Sequence, residues 1–270
     1  MSTTTTSIAD NRTTTWPAAA TPSINIPSPS SVFATLLRSD LRTQWRNRRA
    51  SVMVVLLPLI ILVSWKGLVD KLGGAFVLSN CITIGLTAIG LMGYSNSIAR
   101  DRDKGIFQRL RVAPVPSWAV MASRITVQLI MIMILTTLVF IFGAQIDHIY
   151  LTATGYIFGF AMSIVGGAVY LGLGQVVVGR IMNPETVNAT SRLIYIAFIM
   201  IGMFGELGML GKEIGEMVKY SPYGTVKRIV SAGLTPGTWN TDTSISLAIT
   251  LGYTILFTWL GIKWFRWSSR

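Results

Sequence analysis

The chain has 270 residues, of which 51% are apolar and only 13% are charged. An ordinary soluble domain carries about 25% charged residues, so this composition indicates a membrane protein. The net charge of +12 is compatible with binding nucleic acid, with anionic lipid, or with orientation in a bilayer. A single cysteine, Cys81, and a single histidine, His148, exclude an internal disulfide and the sites of most metalloenzymes.

The amino-terminal part of the chain divides into a tail and a helix. Residues 1–30 are rich in Thr, Ser and Pro, which predicts a disordered cytoplasmic tail. Residues 31–49 place an apolar side chain at every fourth position and arginines on the other faces, which predicts an amphipathic helix at the membrane interface. A cytosolic helix packed on another protein is the alternative. The apolar positions are Phe33, Leu37, Leu41 and Trp45.

Six apolar blocks follow the amphipathic helix. Each approaches the roughly 20 residues that a helix needs to cross the hydrocarbon core. The sequence therefore predicts an all-α integral membrane protein with six transmembrane helices and both termini on one side. The crossings are predicted at about 51–69, 75–99, 118–143, 152–178, 186–208 and 244–264.

The distribution of Lys and Arg predicts the orientation of this bundle. Seventeen of them lie on the side of the two termini, and six lie on the other side. Because positive residues concentrate in cytoplasmic segments, both termini are predicted to be cytoplasmic. This asymmetry also accounts for most of the net charge, so we expect no nucleic-acid partner and attribute the charge to membrane lipids and topology.

The connection between the second and third crossings, residues 99–117, is too charged to enter the bilayer. It contains a short apolar face beside two arginines, followed by prolines that end the helix. Such an amphipathic helix suits docking into a groove of a cytosolic partner. A solvated basic loop that only fixes the topology is the alternative. The face and its flanking arginines comprise Ile106, Phe107, Leu110, Arg109 and Arg111.

Residues 102–114 resemble the motif of the ABC-2 type transporter permeases, which include drug-resistance exporters of the daunorubicin type. That motif has an acidic residue, one or two intervening residues, a glycine, a short helix with Leu-Arg and then a proline. Aspartate stands here where the family usually has glutamate, and either of two aspartates can correspond. The resemblance extends to the layout of residues 31–270. The matching residues are Asp101 or Asp103, Gly105, Leu110, Arg111 and Pro114.

This resemblance implies a permease in a bacterial-type plasma membrane, whose second connection is a coupling helix seated on a separate ATP-binding subunit. Phe107 and Leu110 would be docking anchors, Arg109 and Arg111 charged contacts, and Gly105 the bend. It also implies a second permease copy, identical or paired. ATP and Mg²⁺ would bind the ATPase, with no cofactor on this chain. The substrate would be a hydrophobic or amphipathic drug, antibiotic or lipid-like molecule leaving the cytoplasm.

Three polar residues within predicted crossings are candidates for the substrate path: Glu206, Arg192 and Gln128. Charged groups at depth are costly, which favours a functional role. Glu206 and Arg192 nevertheless lie near predicted helix ends, so interfacial anchoring is the alternative. Between the last two crossings, residues 208–243 predict two short helices broken at 221–224. They either re-enter the membrane, as the resemblance implies, or lie on the outer headgroups.

Two other classes of function remain as alternatives. A gradient-driven secondary transporter or channel would bury more charged residues in mid-membrane than this chain has. A membrane-embedded enzyme would need an acid–base pair at depth, and the sequence offers a lone histidine. Residues 205–213 resemble a phosphate-binding loop with incorrect spacing and without its Ser or Thr. We therefore expect a permease without enzymatic activity of its own.

Overall fold

The computed structural model of the protein describes residues 28–46, 48–112 and 116–265. These residues fold into helices, and within those ranges there is no strand. Residues 1–27 of the predicted tail lie outside the described ranges. The helices are α1 (Pro29–Arg46), α2 (Arg48–Ser64), α3 (Val69–Leu72), α4 (Gly74–Thr87), α5 (Ser95–Asp103), α6 (Ile106–Val112), α7 (Ser117–Ile146), α8 (Ala153–Arg180), α9 (Pro184–Glu206), α10 (Lys212–Tyr220), α11 (Pro222–Leu234) and α12 (Thr241–Trp264).

Five helical stretches in the described residues are long and apolar enough to cross a membrane. They are the continuous helix of α4 and α5, then α7, α8, α9 and α12. A sixth forms if α2 is taken together with residues 66–72, which bend by 51° relative to it. The predicted class, an all-α integral membrane protein, is confirmed.

The second crossing is longer than the sequence predicts. It runs from Gly74 to Asp103, passing through a π-helical segment at Ala88–Tyr94, whereas the expected end was near residue 99. The added turn contains Asp101 and Arg102, which the sequence assigns to a charged connection. Both side chains are buried against neighbouring helices, and these partners allow charged residues to continue the helix.

The second crossing also forms the centre of the bundle. In its most apolar stretch 83% of the residues are buried within the protein, against 17% for α12 at the periphery. Glycines bring its backbone close to α8, since a Cβ atom at Gly90 would collide with the Tyr170 backbone and one at Gly174 with the Gly90 carbonyl. Bulkier residues at these two glycines would therefore separate α8 from the second crossing.

Helices α10 and α11 form a helical hairpin between α9 and α12. Ser221 starts α11 by accepting a hydrogen bond from the Gly224 amide at 3.1 Å. The Tyr223 hydroxyl, next to the hairpin tip, donates to Asn80 Oδ1 at 2.9 Å. Asn80 lies six residues inside α4, about 9 Å along that helix at a rise of 1.5 Å per residue, so the Tyr223 side chain packs within the bundle. Re-entry of residues 208–243 into the membrane stays a prediction.

The two ends of the bundle differ in composition. We call the end formed by α1, α6, the start of α7 and the connection 181–183 the basic end. The opposite end comprises residues 73–74, 147–152 and 207–240. Helix α1 runs across the basic end and packs on α7, with Val32 buried and Trp45 71% exposed. Its position at a lipid interface stays a prediction.

Candidate functional site

The turn between α5 and α6 is built around Gly105. Its φ of 67° lies in the left-handed region, which glycine adopts without steric cost. The Gly105 amide donates to the Arg102 carbonyl at 3.0 Å, and the Gly105 carbonyl accepts from the Arg109 amide at 3.2 Å. The structure therefore places the bend at the glycine that the sequence identifies, and α6 starts directly after it.

Helix α6 buries one apolar side chain in the protein, that of Phe107. Phe107 is 1% exposed, and its ring meets Phe265 edge to face with centroids 6.0 Å apart. The chain itself covers Phe107 in this arrangement, and its role as a docking anchor stays a prediction. The buried ring fixes α6 on the carboxyl end of the chain. Gln108 and Arg109 are exposed on the outer side of the helix.

Parts of the predicted docking surface are outside the described structure. Pro114 lies outside the described residues. For Leu110 and Arg111 the structure describes the helical backbone but not the side chains. The docking roles expected for these residues stay predictions.

Two carboxylates share one guanidinium at the basic end. Arg124 of α7 contacts Asp101 Oδ2 of α5 at 2.9 Å and Asp40 Oδ1 of α1 at 3.3 Å. Asp40 also accepts a hydrogen bond from the Ser123 hydroxyl at 2.5 Å. The three charged side chains are only 11–13% exposed. This cluster links the amphipathic helix to the second and third crossings.

The neighbouring residue, Arg102, makes a different set of contacts. Its guanidinium donates to the carbonyl oxygens of Val178 and Ile181, both at 2.6 Å, and of Met182 at 3.0 Å. The residue is 2% exposed. The last carbonyl groups of a helix lack partners within the helix and carry partial negative charge, so a cation there is favourable. Arg102, which lies on α5, therefore caps the carboxyl end of α8.

The short connection after α8 leads directly into α9. Asn183 accepts hydrogen bonds from the amides of Glu185 at 2.8 Å and Thr186 at 3.3 Å, and Pro184 occupies the first turn. This is an ordinary amino-terminal cap. The carbonyls just before it, at residues 181 and 182, are those that Arg102 binds.

The structure separates the two candidate acidic residues of the motif. Asp101 is buried in the cluster with Arg124, whereas Asp103 is exposed at the end of α5. Sequence reasoning missed the partners Asp40, Arg102 and Arg124. A signal was present for one of them, since Asp40 is the single acidic residue in an otherwise basic α1. An isolated acid among arginines indicates a specific partner.

The three residues predicted for a substrate path do not come together. Arg192 is exposed in the first half of α9, and Glu206 is the last residue of that helix. Their separation of 14 residues corresponds to about 21 Å at a rise of 1.5 Å per residue. Gln128 is 4% exposed within α7. The path role of each stays a prediction, and they do not form one site.

Glu206 instead takes part in an ion pair at the opposite end. Lys227 Nζ of α11 lies 2.6 Å from Glu206 Oε1 and 3.9 Å from the centre of the Phe76 ring. The pair borders a polar cavity of about 300 Å³ that Arg228 and Asp242 also line. It therefore joins the hairpin to the end of α9.

One family comparison identifies the chain. The family model described as ABC-2 type transporter matches residues 31–225. The match covers more than half of the chain and extends from α1 through the second, third, fourth and fifth crossings to the start of α11. No curated protein matches the chain.

Proposed function

Because this chain belongs to the ABC-2 type transporter family, we propose that it is the membrane permease of an exporter powered by a separate ATP-binding subunit. One observation carries this proposal: α6 is a short helix that starts at a defined turn and exposes Gln108 and Arg109. Gly105 sets its direction and Phe107 holds it against Phe265. A helix held in this way can receive a displacement from a partner and pass it to α5.

The outer side of α6 suits a partner with an acidic groove. Gln108 and Arg109 are exposed there, and Arg111 follows in the sequence. Arginine forms bidentate contacts with carboxylates, which gives such a contact a defined geometry. We propose that these residues make the polar part of the docking surface, while Phe107 supports it from inside.

The charge asymmetry supports a cytosolic location for this surface. In the sequence, seventeen Lys and Arg residues fall in segments predicted to share the side of α6 and six fall in the others, and under the positive-inside rule this asymmetry supports a cytoplasmic basic end. ATP is available on that side. The ATP and Mg²⁺ would bind the partner, and both termini of the permease would be cytoplasmic.

We further propose that two permease copies line the path of a hydrophobic or amphipathic substrate, as in exporters of the daunorubicin type. Support comes from α9, where Arg192 lies on an exposed face beside Leu193, which is 70% exposed. A charge exposed to acyl chains is costly, so a second copy or a polar path on this face would lower that cost. The apolar faces of α2 and α12 would contact lipid.

The test is affinity purification of the tagged protein from its native membrane in mild detergent. We expect an ATP-binding subunit in stoichiometric amount and ATP hydrolysis in the eluate. Arg109→Glu should reduce recovery of that subunit at least fivefold, because it reverses the charge of an exposed contact. Arg42→Glu reverses an equally exposed charge at the basic end, on α1, and should leave recovery unchanged.

Two outcomes would contradict the proposal. Recovery of a lone protein without ATPase activity would favour a gradient-driven transporter or channel instead. Equal loss of the subunit in the Arg109 and Arg42 variants would remove α6 as the docking element. Membrane insertion is measured in parallel for each variant, so that loss of the permease itself is recognised.

A further inference from the structure

We propose that Arg102 is a positioning residue that joins the connection before α9 to the root of α6, so that both cytoplasmic connections move as one unit. The movement and the partner that drives it rest on the proposed function. The physical link between the two connections does not rest on it. Arg102 would act through α8 and α9 rather than by touching substrate or partner.

Arg102 lies in the turn that precedes α6. Its carbonyl accepts the Gly105 amide at 3.0 Å, so its backbone is part of the turn that directs α6. Its side chain reaches residues that lie about 80 positions later in the sequence. One residue therefore contacts the root of α6 through its backbone and the connection before α9 through its side chain.

The three hydrogen bonds of the Arg102 side chain reach past the end of α8. One goes to Val178 inside α8, one to Ile181 at its C-cap and one to Met182 beyond the helix. A cap that only satisfied the helix end would not need the bond to Met182. The planar guanidinium can donate in several directions at once, and this geometry fixes the connection relative to α8.

The connection after α8, residues 181–183, passes directly into α9. Asn183 caps α9 immediately after the two carbonyls that Arg102 holds. A shift of these carbonyls would therefore change where α9 begins. With Asn183 as the cap, a displacement of α6 would be passed through Arg102 to both α8 and α9.

The charge of Arg102 is held by neutral groups. Its neighbour Asp101 is paired with Arg124, whereas the Arg102 guanidinium donates to backbone carbonyl oxygens. A buried charge held by neutral groups is costly if any of them moves away. Separation of the two connections is thus penalised, which favours their joint movement.

The direct test is hydrogen–deuterium exchange on the full chain in lipid nanodiscs, without any partner. In Arg102→Gln the amides of residues 181–187 should exchange about tenfold faster, since two or more charge-assisted hydrogen bonds are lost. Arg100→Gln is the matched control, because Arg100 is an exposed arginine on the same helix. Unchanged exchange at 181–187 in Arg102→Gln would overturn the proposal.

A second measurement covers the case in which Arg102→Gln loosens the whole fold. Spin labels at the exposed positions Lys104→Cys and Glu185→Cys report the distance between the two connections, in a chain where the buried Cys81 is changed to Ala. With Arg102 present, we expect one narrow distribution of distances between the two labels. Arg102→Lys, which keeps the charge but not the planar fork, should broaden it. A distribution as narrow as that of the parent would overturn the proposal.

The final measurement uses the complex with its ATP-binding subunit. ATP should leave the distance between the labels unchanged while both move relative to the hairpin of α10 and α11. Arg102→Gln should keep the subunit bound but lower transport per ATP at least tenfold, whereas Arg100→Gln should transport normally. Normal transport in Arg102→Gln would overturn the proposal. If the parent chain recovers no ATP-binding subunit, the proposed function fails, while the exchange and spin-label results still decide the role of Arg102.

Discussion

The two ends of this helical bundle are held together in different ways. At the basic end, largely buried charged side chains link separate helices. Arg124 joins α7 to Asp40 of α1 and Asp101 of α5, and Arg102 joins α5 to α8. Among the described residues of that end, Gly105 alone has a positive φ. Charged contacts between separate helices, with a single residue of positive φ in the described part, characterise this end.

The opposite end has more backbone positions in the left-handed region and fewer charged links. Its interhelical ion pair within the described residues joins Glu206 and Lys227. The short α10 and α11 replace a continuous crossing there. The residues with positive φ are Gly73, His148, Gly208 and Gly211.

This difference suggests a division of labour in a transporter. Buried ion pairs add little net stability, because desolvation offsets the attraction, but they fix geometry. We expect the basic end to keep one arrangement while it transmits displacement, and the opposite end to change shape. Each prediction below compares one link at one end with its counterpart.

The largest effect is expected for Arg124→Met at the basic end. This change leaves the carboxylates of Asp40 and Asp101 close together without their cation, and removing one partner of a buried ion pair costs about 3 kcal/mol. Urea or thermal unfolding in detergent measures the loss of stability. The change combined with Asp40→Asn and Asp101→Asn should cost about 1 kcal/mol or less, since no unpaired charge then remains.

That prediction has a clear point of failure. If Arg124→Met changes stability by less than about 0.5 kcal/mol, which is the range of ordinary surface substitutions, the cluster does not fix the basic end. The distinction between the two ends would then rest on Arg102 alone.

A smaller effect is expected for Lys227→Met at the opposite end. Glu206 loses its cation but keeps access to water, because its side chain is 26% exposed. The expected loss is therefore about 1–2 kcal/mol, less than for a fully buried pair. Hydrogen exchange should rise in α10 and α11 and stay unchanged in α1 and α6. A rise at the basic end of equal size would contradict the independence of the two ends.

Much of the fold follows from the sequence because the bilayer restricts it strongly. Apolar length and the distribution of arginines predict the crossings, since each backbone polar group must be satisfied within a helix. The end of the second crossing was missed for a physical reason. A sequence places Asp101 and Arg102 outside the hydrocarbon by their charge, whereas their partners come from α7 and α8, far away along the chain.

The candidate site was predicted less completely. The bend at Gly105 is implied by the resemblance to the permease motif, which has a glycine before the short helix. The burial of Phe107 could not be predicted in this way, since its contact Phe265 lies more than 150 residues later in the sequence. An amphipathic pattern predicts that one face of α6 is covered, but not whether this chain or a partner covers it.

The next prediction concerns Gly105, the residue of the basic end with a positive φ. Gly105→Ala has space for its Cβ atom, with Gln108 Oε1 the nearest at 3.5 Å, so the cost comes from the positive φ alone. We expect a loss of about 1–2 kcal/mol and weaker recovery of the ATP-binding subunit, because α6 would change direction. Gly237→Ala is the control, since its φ is not positive and no atom lies within 4 Å. Equal recovery of the ATP-binding subunit with both variants would show that docking does not depend on the turn at Gly105.

The smallest effect is expected for Asp103→Asn, which decides between the two aspartates of the motif. Asp103 is exposed, and surface changes of this kind alter stability by about 0.5 kcal/mol or less. Asp101→Asn removes a charge from the pair with Arg124 and should cost more, measured by the same unfolding experiment. If the acidic residue of the motif serves to hold the root of α6, recovery of the ATP-binding subunit should fall in Asp101→Asn alone. A fall in Asp103→Asn instead would mean that the motif acid contacts the partner, and that the buried cluster is a separate feature of the basic end.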